Sequence, residues 1–308
     1  MTCKLCKKSP VTTLPNNDIQ VCKNCFFKYF EKKVFRTIGQ YNLIDKKDII
    51  GVAASGGKDS ITILYILNKF LEKRRMKDRL VAITINNGIK GEEKTLAFLK
   101  KFCKENKIKL YIYSFKKEFG KTMDQYVKNS KEEHPCSICG VLRRSLLNKK
   151  AKKLKITKIV TGHNLDDEAQ TILMNQFRRN IKASARLGPI TGIINDKRFV
   201  RRIKPLYFLL EKEAELYAKL KGFIVKYEPC HYKKVSYRNV LKKVLNDFED
   251  KYPGTKHSII QSFLEILPLL RKEFVTRGLI KSCKLCKEPC SKDICQACKI
   301  LEKFNLKH

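Results

Sequence analysis

Ser55-Gly56-Gly57-Lys58-Asp59-Ser60 sets two hydroxyls, a cation and a carboxylate around a glycine pair, between the apolar runs 49–54 and 61–67. Such an order reads as strand, tight turn and helix. Backbone N–H groups and a helix N-terminus then converge on an anion, with Ser55, Ser60 and Lys58 as further donors, so a nucleotide phosphate is the expected guest. The loop is not of the Walker A type, because Asp59 stands where a hydroxyl residue would hold magnesium. A second group, Gly162-His163-Asn164-Leu165-Asp166-Asp167-Glu168, also follows an apolar run. Its carboxylates could complement a helix dipole, or Asp166 or Asp167 could hold a Mg2+ shared with ATP phosphates. His163 either caps the turn or touches the nucleotide.

The 13 cysteines form the third resource. Met1-Thr2-Cys3-Lys4 opens no secretory signal, and a reducing cytosol would not maintain disulfides, so the expectation is metal ligation. Cys3-x-x-Cys6 with Cys22-x-x-Cys25, and Cys283-x-x-Cys286 with Cys295-x-x-Cys298, each offer a tetrahedral four-thiolate site, which predicts two Zn2+ ribbons that fold with their metal. Cys290 offers the second set a fifth thiolate. Cys103, on the helical run 92–106, reads as a small buried hydrophobe. Cys136-Ser137-Ile138-Cys139 stands apart from both ribbons, with Cys230 left over in a comparable setting. Zinc completed by His134 or His231, a redox dithiol, and a [4Fe–4S] cluster with one iron unligated by protein all fit that spacing.

These groups need a scaffold, and the sequence supplies alternating strand and helix signals. Strands are expected at 49–54, 80–85, 110–113, 156–162 and 198–206, and helices at 26–41, 92–106, 169–177 and 209–220. That alternation predicts an α/β fold, a doubly wound parallel sheet whose ligands sit beyond the carboxyl ends of its strands. Residues 232–277 read as helical, broken at Tyr252-Pro253-Gly254 and at Pro268. The domain reading is a zinc ribbon at 1–30, an ATP-binding catalytic unit at 31–230, a helical extension at 231–280 and a second ribbon at 281–308. Lys and Arg number 67 against 30 Asp and Glu, a formal charge of +37. Self-repulsion on that scale favours a polyanionic partner, with nucleic acid ahead of an anionic membrane. No apolar stretch approaches the ~20 residues of a membrane span. A cytoplasmic protein is expected.

Taken together, Ser55 through Ser60, Phe119-Gly120-x-Thr122-Met123-Asp124, Cys136-x-x-Cys139-Gly140-Val141-Leu142-Arg143-Arg144, Thr161-Gly162-His163-Asn164-x-Asp166-Asp167 and Cys295-Gln296-Ala297-Cys298 resemble the tRNA 2-thiouridine synthetases of the PP-loop ATP pyrophosphatase superfamily. The likeness is greatest to the archaeal and eukaryotic wobble-uridine thiolases of the NcsA type, with the TtuA enzymes that thiolate uridine 54 as near relatives. It implies that Ser55, Gly56, Gly57, Lys58, Asp59, Ser60, Gly162, His163, Asp166 and Asp167 bind ATP and magnesium. It implies, too, that Cys136, Cys139 and Cys230 hold an oxygen-sensitive [4Fe–4S] cluster, and that a uridine C2 oxygen is adenylated and then replaced by sulfur. Lys58, Asp59, Arg143, Cys136 and Cys139 would carry the chemistry. Expected partners are tRNA, a sulfur source that is sulfide or a thiocarboxylated ubiquitin-like protein, and a possible second copy of the chain. A lysidine synthetase would leave the central cysteines without work, and a tRNA-binding subunit assisting an active paralogue would show eroded nucleotide motifs, which are intact here.

Overall fold

The apolar run before the Ser55 loop becomes the central strand of a five-stranded parallel sheet, in a computed structural model that describes residues 2–15, 18–128, 135–194, 196–223, 230, 232, 237–275 and 280–304. Ahead of it, β1 (Thr12–Thr13) pairs antiparallel with β2 (Gln20–Val21), and Cys22 caps α1 (Lys23–Gln40). Phe26, Phe30, Val34 and Ile38 recur every four residues, so α1 presents one apolar stripe. The stripe joins Cys3, Leu14, Val21 and Cys22 to the same core as the central strand, so the first ribbon is continuous with the sheet layer. Residue 30, the sequence-based boundary, falls inside α1.

The sheet grows as β3 (Ile50–Ala53), α2 (Lys58–Lys73), β4 (Leu80–Asn86), α3 (Glu92–Glu105) and β5 (Lys109–Ser114). The chain then crosses through α4 (Phe115–Phe119), α5 (Met123–Lys128) and α6 (Pro135–Lys153) to β6 (Lys158–Val160) on the other side of β3. It continues through α7 (Leu165–Phe177) and α8 (Ile181–Ser184) to β7 (Arg201–Ile203) and α9 (Glu211–Lys221). Spatial order is β5-β4-β3-β6-β7. Strand order therefore reverses between β3 and β6, and beyond the carboxyl ends of neighbouring strands at such a switch point lies the crevice where α/β sheets bind ligands. Helices α1, α2 and α9 cover one face with Ile50, Val52 and Ile203, while Leu147 and Ala151 of α6 cover the other with Ile83 and Ile159. The doubly wound class read from the sequence is the class observed.

Several elements differ from expectation: the fourth strand keeps only Lys158–Val160 of 156–162, α7 starts at Leu165 and not at 169, and α4, α5, α6 and α8 lie where no helix is expected. The last strand shrinks from 198–206 to Arg201–Ile203, because Arg198 turns its guanidinium onto Asp196 and the Ile280 carbonyl and Pro205 has no N–H for a ladder. Pro268 does not break its helix: α10 (Tyr237–Lys251) is followed by α11 (Thr255–Val275), which runs through the proline. Ile260, Phe263 and Leu267 of α11 share a core with Leu165, Ala169 and Ile172 of α7, and that burial outweighs the ~3 kcal/mol an interior proline costs. Finally β8 (Lys281–Ser282) and β9 (Pro289–Cys290) pair antiparallel, and Cys295 caps α12 (Gln296–Lys303). Ala297, Ile300 and Leu301 of α12 pack with Ile138, Cys139 and Leu142 of α6.

Candidate active site

Gly57 caps α2, so Lys58, Asp59 and Ser60 occupy the first helical turn, where backbone N–H groups lack intrahelical partners. Gly56 holds φ at +83°, and a Cβ there would stand 2.4 Å from Thr95 Cγ2, so the tight turn admits no side chain. The Gly57 N–H donates to Ser55 Oγ at 3.3 Å and the Ser60 hydroxyl to the Gly57 carbonyl at 2.9 Å. Ser55 itself is exposed at the loop tip. The Gly162 turn lies directly against this loop, since a Cβ on Gly162 would stand 2.9 Å from the Ser60 nitrogen. Asn164 caps α7 by accepting from the Asp167 N–H at 3.1 Å, and its side-chain nitrogen donates to Asp59 at 3.5 Å. The two sequence motifs thus form one site.

Charge is concentrated there. Lys58 Nζ lies 3.0 Å from Asp59 and 3.2 Å from Glu211, and these two carboxylates outweigh burial and raise its pKa. Burial raises the pKa of Asp59; Lys58 opposes that, while Asp167 and Glu211 add to it. Asp166 is differently placed from its neighbour. One of its oxygens accepts from Lys256 Nζ and the other from the Glu211 N–H at 2.6 Å, so both are engaged. Asp167 has Arg238 at 3.5 Å and remains part-exposed. His163 is open to solvent yet flanked by dense protein, as on a cleft wall; that burial lowers its pKa, and its Nδ1 lies 2.8 Å from Thr161 Oγ1.

Helix α6 carries Cys136 and Cys139 one turn apart, the first exposed and the second 5% exposed. Cys230 packs against the apolar cluster that contains Cys139. Burial raises the Cys139 thiol; Arg143, whose Nη2 donates to its sulfur at 3.2 Å, opposes this, and Glu92 and Cys230 add to it. The chain entering α3 borders both groups, since Ile89 shares a core with Cys139 and Thr95 abuts Gly56.

Cys3, Cys6, Cys22 and Cys25 gather their sulfurs within 4.8 Å, and so do Cys283, Cys286, Cys295 and Cys298. Contacts of 3.4 Å (Cys6 to Cys22) and 3.7 Å (Cys286 to Cys295) match the roughly 3.8 Å edge of a tetrahedron with metal–sulfur bonds of ~2.3 Å. Both sets could hold a metal. Cys290 stands outside its set, its thiol donating to the Lys292 carbonyl at 2.8 Å. Cys103 is buried, 2% exposed. Among the described residues Cys136, Cys139 and Cys230 do not form such a tight set. His134 and His231 lie outside the described residues.

Residues 28–248 match a family model described as the PP-loop domain. The chain belongs to the PP-loop family. Its relatives include the "Probable sulfurtransferase" of Methanocaldococcus jannaschii, 39% identical over 92% of this chain and 82% of that protein. The tRNA-5-methyluridine(54) 2-sulfurtransferase of Pyrococcus horikoshii is 37% identical over 97% of this chain and 93% of that one. The solved structure of the U34-tRNA thiolase NcsA from Methanococcus maripaludis with its [4Fe-4S] cluster is similar with a TM-score of 0.83 and 31% identity, covering 98% of this chain and 96% of that one. Ser55 through Ser60 lie within the matched residues, as do Gly162 through Glu168. Sequence reasoning missed the residues that brace them: Glu211, Lys256 and Arg238 come from distant segments and carry no local motif, whereas Asn164 could have been found as an N-cap three residues before an acidic one.

Proposed function

We propose that this protein is an ATP-dependent tRNA sulfurtransferase that makes 2-thiouridine. The observation that carries the reading is the shared edge: the Ser55 loop, the Gly162 turn and Cys139 lie at the carboxyl end of one sheet, with the start of α3 beside the loop and Ile89, just before α3, in the core of Cys139. Free N–H groups at the start of α2, with Lys58, bind the ATP phosphates and stabilise charge on departing pyrophosphate. The uridine C2 oxygen forms a bond to the α-phosphorus as the bond to pyrophosphate breaks. Sulfur then bonds to C2, and the C2–O bond breaks with AMP as the leaving group. Asp59 and Asp167 are the carboxylates that would hold a magnesium ion, which would supply charge stabilisation for the phosphates; Asp166 instead braces the turn through Lys256. Arg143 reaches the space beside Cys139 and donates to the adenylated oxygen. Held by Cys136, Cys139 and Cys230, a [4Fe–4S] cluster would supply a Lewis-acidic iron for sulfide. The terminal cysteine sets take zinc.

The target is the wobble uridine, position 34, whose base lies in a single-stranded loop and leaves its stack at little cost. The 37% identity to the position-54 enzyme favours uridine 54 as a second reading. Sulfide or a thiocarboxylated carrier protein supplies the sulfur. Two measurements test the proposal: tRNA-dependent AMP release by anaerobically purified protein, and mass spectrometry of tRNA from a strain lacking it. Loss of anticodon 2-thiouridine supports position 34. Loss confined to position 54 selects the second reading, and no AMP release with tRNA defeats both.

A further inference from the structure

Arg143, Arg144 and Arg202 stand together beside Cys139, and among the described residues none of the three is paired with a carboxylate. Arg202 sits on β7 in register with Ile159, a residue of the core beneath α6, so its side chain lies on the face that α6 covers. Its Nη2 donates to the Arg144 carbonyl at 3.3 Å, while its Nε is buried and has no partner. The Arg144 guanidinium lies against Gly140, the residue after Cys139, where an added Cβ would stand 3.1 Å from Nη1. Like charges so gathered repel. Burial and then Arg143 lower the pKa of Arg144, and burial and then Arg144 bring Arg202 down to about 10.

Other shielded cations are partnered within the chain: Arg271 donates to the carbonyls of Ala185, Leu187 and Ile190, and three lysines have carboxylates. Lys204 pairs with Glu168 at 2.7 Å, Lys150 with Glu118 at 2.7 Å and Lys256 with Asp166. Guanidiniums crowded without a carboxylate call for an anion from outside, and their planar forks match phosphate oxygens two at a time. ATP has its own cation and helix end at β3, two strands away from β7. We propose that Arg144 and Arg202 form the seat for an RNA backbone phosphate next to the target uridine, positioning that nucleotide beside Cys139. The proposal rests on the tRNA-thiolation reading.

The test compares Arg202→Gln and Arg144→Gln with the wild type in anaerobically prepared full chain, titrating tRNA over a range of salt. The expected result is a dissociation constant raised about tenfold and a log–log salt slope shallower by about one. The visible iron–sulfur absorption and the affinity for ATP without tRNA stay as in the wild type. Arg202→Lys restores the slope without the full affinity, since an ammonium cannot grip two oxygens. Unchanged tRNA binding with bleached absorption would mean that the arginines serve to neutralise the iron site. Unchanged tRNA binding with weakened ATP binding would make this a pyrophosphate seat, and either result overturns the proposal. Arg144 reaches solvent, so its variant folds even where Arg202→Gln does not. A wild type that releases no AMP with tRNA removes the thiolation reading itself, whereas an active wild type with insensitive variants removes only the phosphate seat.

Discussion

Asp59 carries its charge in surroundings that oppose it: burial and two nearby carboxylates work against ionisation, and Lys58 alone among its strongest neighbours favours it. A bound cation would relieve that crowding, so removing the carboxylate removes the cation's seat. Asp59→Ala is expected to cut tRNA-dependent AMP formation by about 100-fold or more while tRNA affinity stays within about twofold; AMP assay and titration on one preparation check this, and near-wild-type AMP yield defeats the role. Cys230 is tested separately. Cys230→Ser should abolish the visible iron–sulfur absorption yet leave the metal of both terminal sets in place, read by metal analysis, because those sets are complete without it. The Ser55 loop and the Cys136-x-x-Cys139 pair were legible at this scale because each needs only a few consecutive residues. Asp166 was not. Its neighbour in sequence is Asp167, but its partner is Lys256, and a contact across 90 positions leaves no local trace.

Elements were legible where hydrophobic period and length agreed, as in α1, α3 and the three inner strands. They were misread where tertiary contact decided the outcome, as at Arg198 and Pro268. The C-terminal helices illustrate how much such contacts hold: α10 and α11 lie on α7, and His257 near the start of α11 is half-buried. Burial and Lys33 lower the His257 pKa against the opposing pull of Glu213, Glu249 and the Phe208 backbone. As pH falls below the ordinary histidine value of about 6.5, the unfolded chain takes up a proton that the folded one refuses. The folded state therefore loses stability in that window until the lowered pKa is passed. His257→Gln should lose less melting temperature than the wild type between about pH 7 and pH 5, by differential scanning calorimetry; identical losses would show that α11 does not feel this proton.

At the scale of the molecule, the +37 charge is the dominant fact. No helix of the described residues is long and apolar enough to cross a membrane. With so much like charge, the folded state gains from any polyanion laid against it, and tRNA should raise the melting temperature as well as bind. Binding should also weaken steeply with salt, about 10³-fold or more between 50 and 200 mM if six or more phosphates are neutralised. Fluorescence anisotropy against labelled tRNA measures this, and a flat salt dependence would mean that the surplus charge serves something other than RNA.

Helix α6, which bears Cys136 and Cys139, is covered by α12 and tied to the last ribbon through Asn148 and Lys152, which hold the two carboxylate oxygens of Glu288 at 2.9 and 3.0 Å. Synthesis runs in one direction, so the ribosome releases α6 long before the segment that shelters it. During that interval the two thiols ride on a helix with an uncovered apolar flank, able to meet oxygen, stray metal or a chaperone. Shelter for these thiols is thus timed by translation: the cover over α6 forms only once residues 281–304 have followed it out of the ribosome.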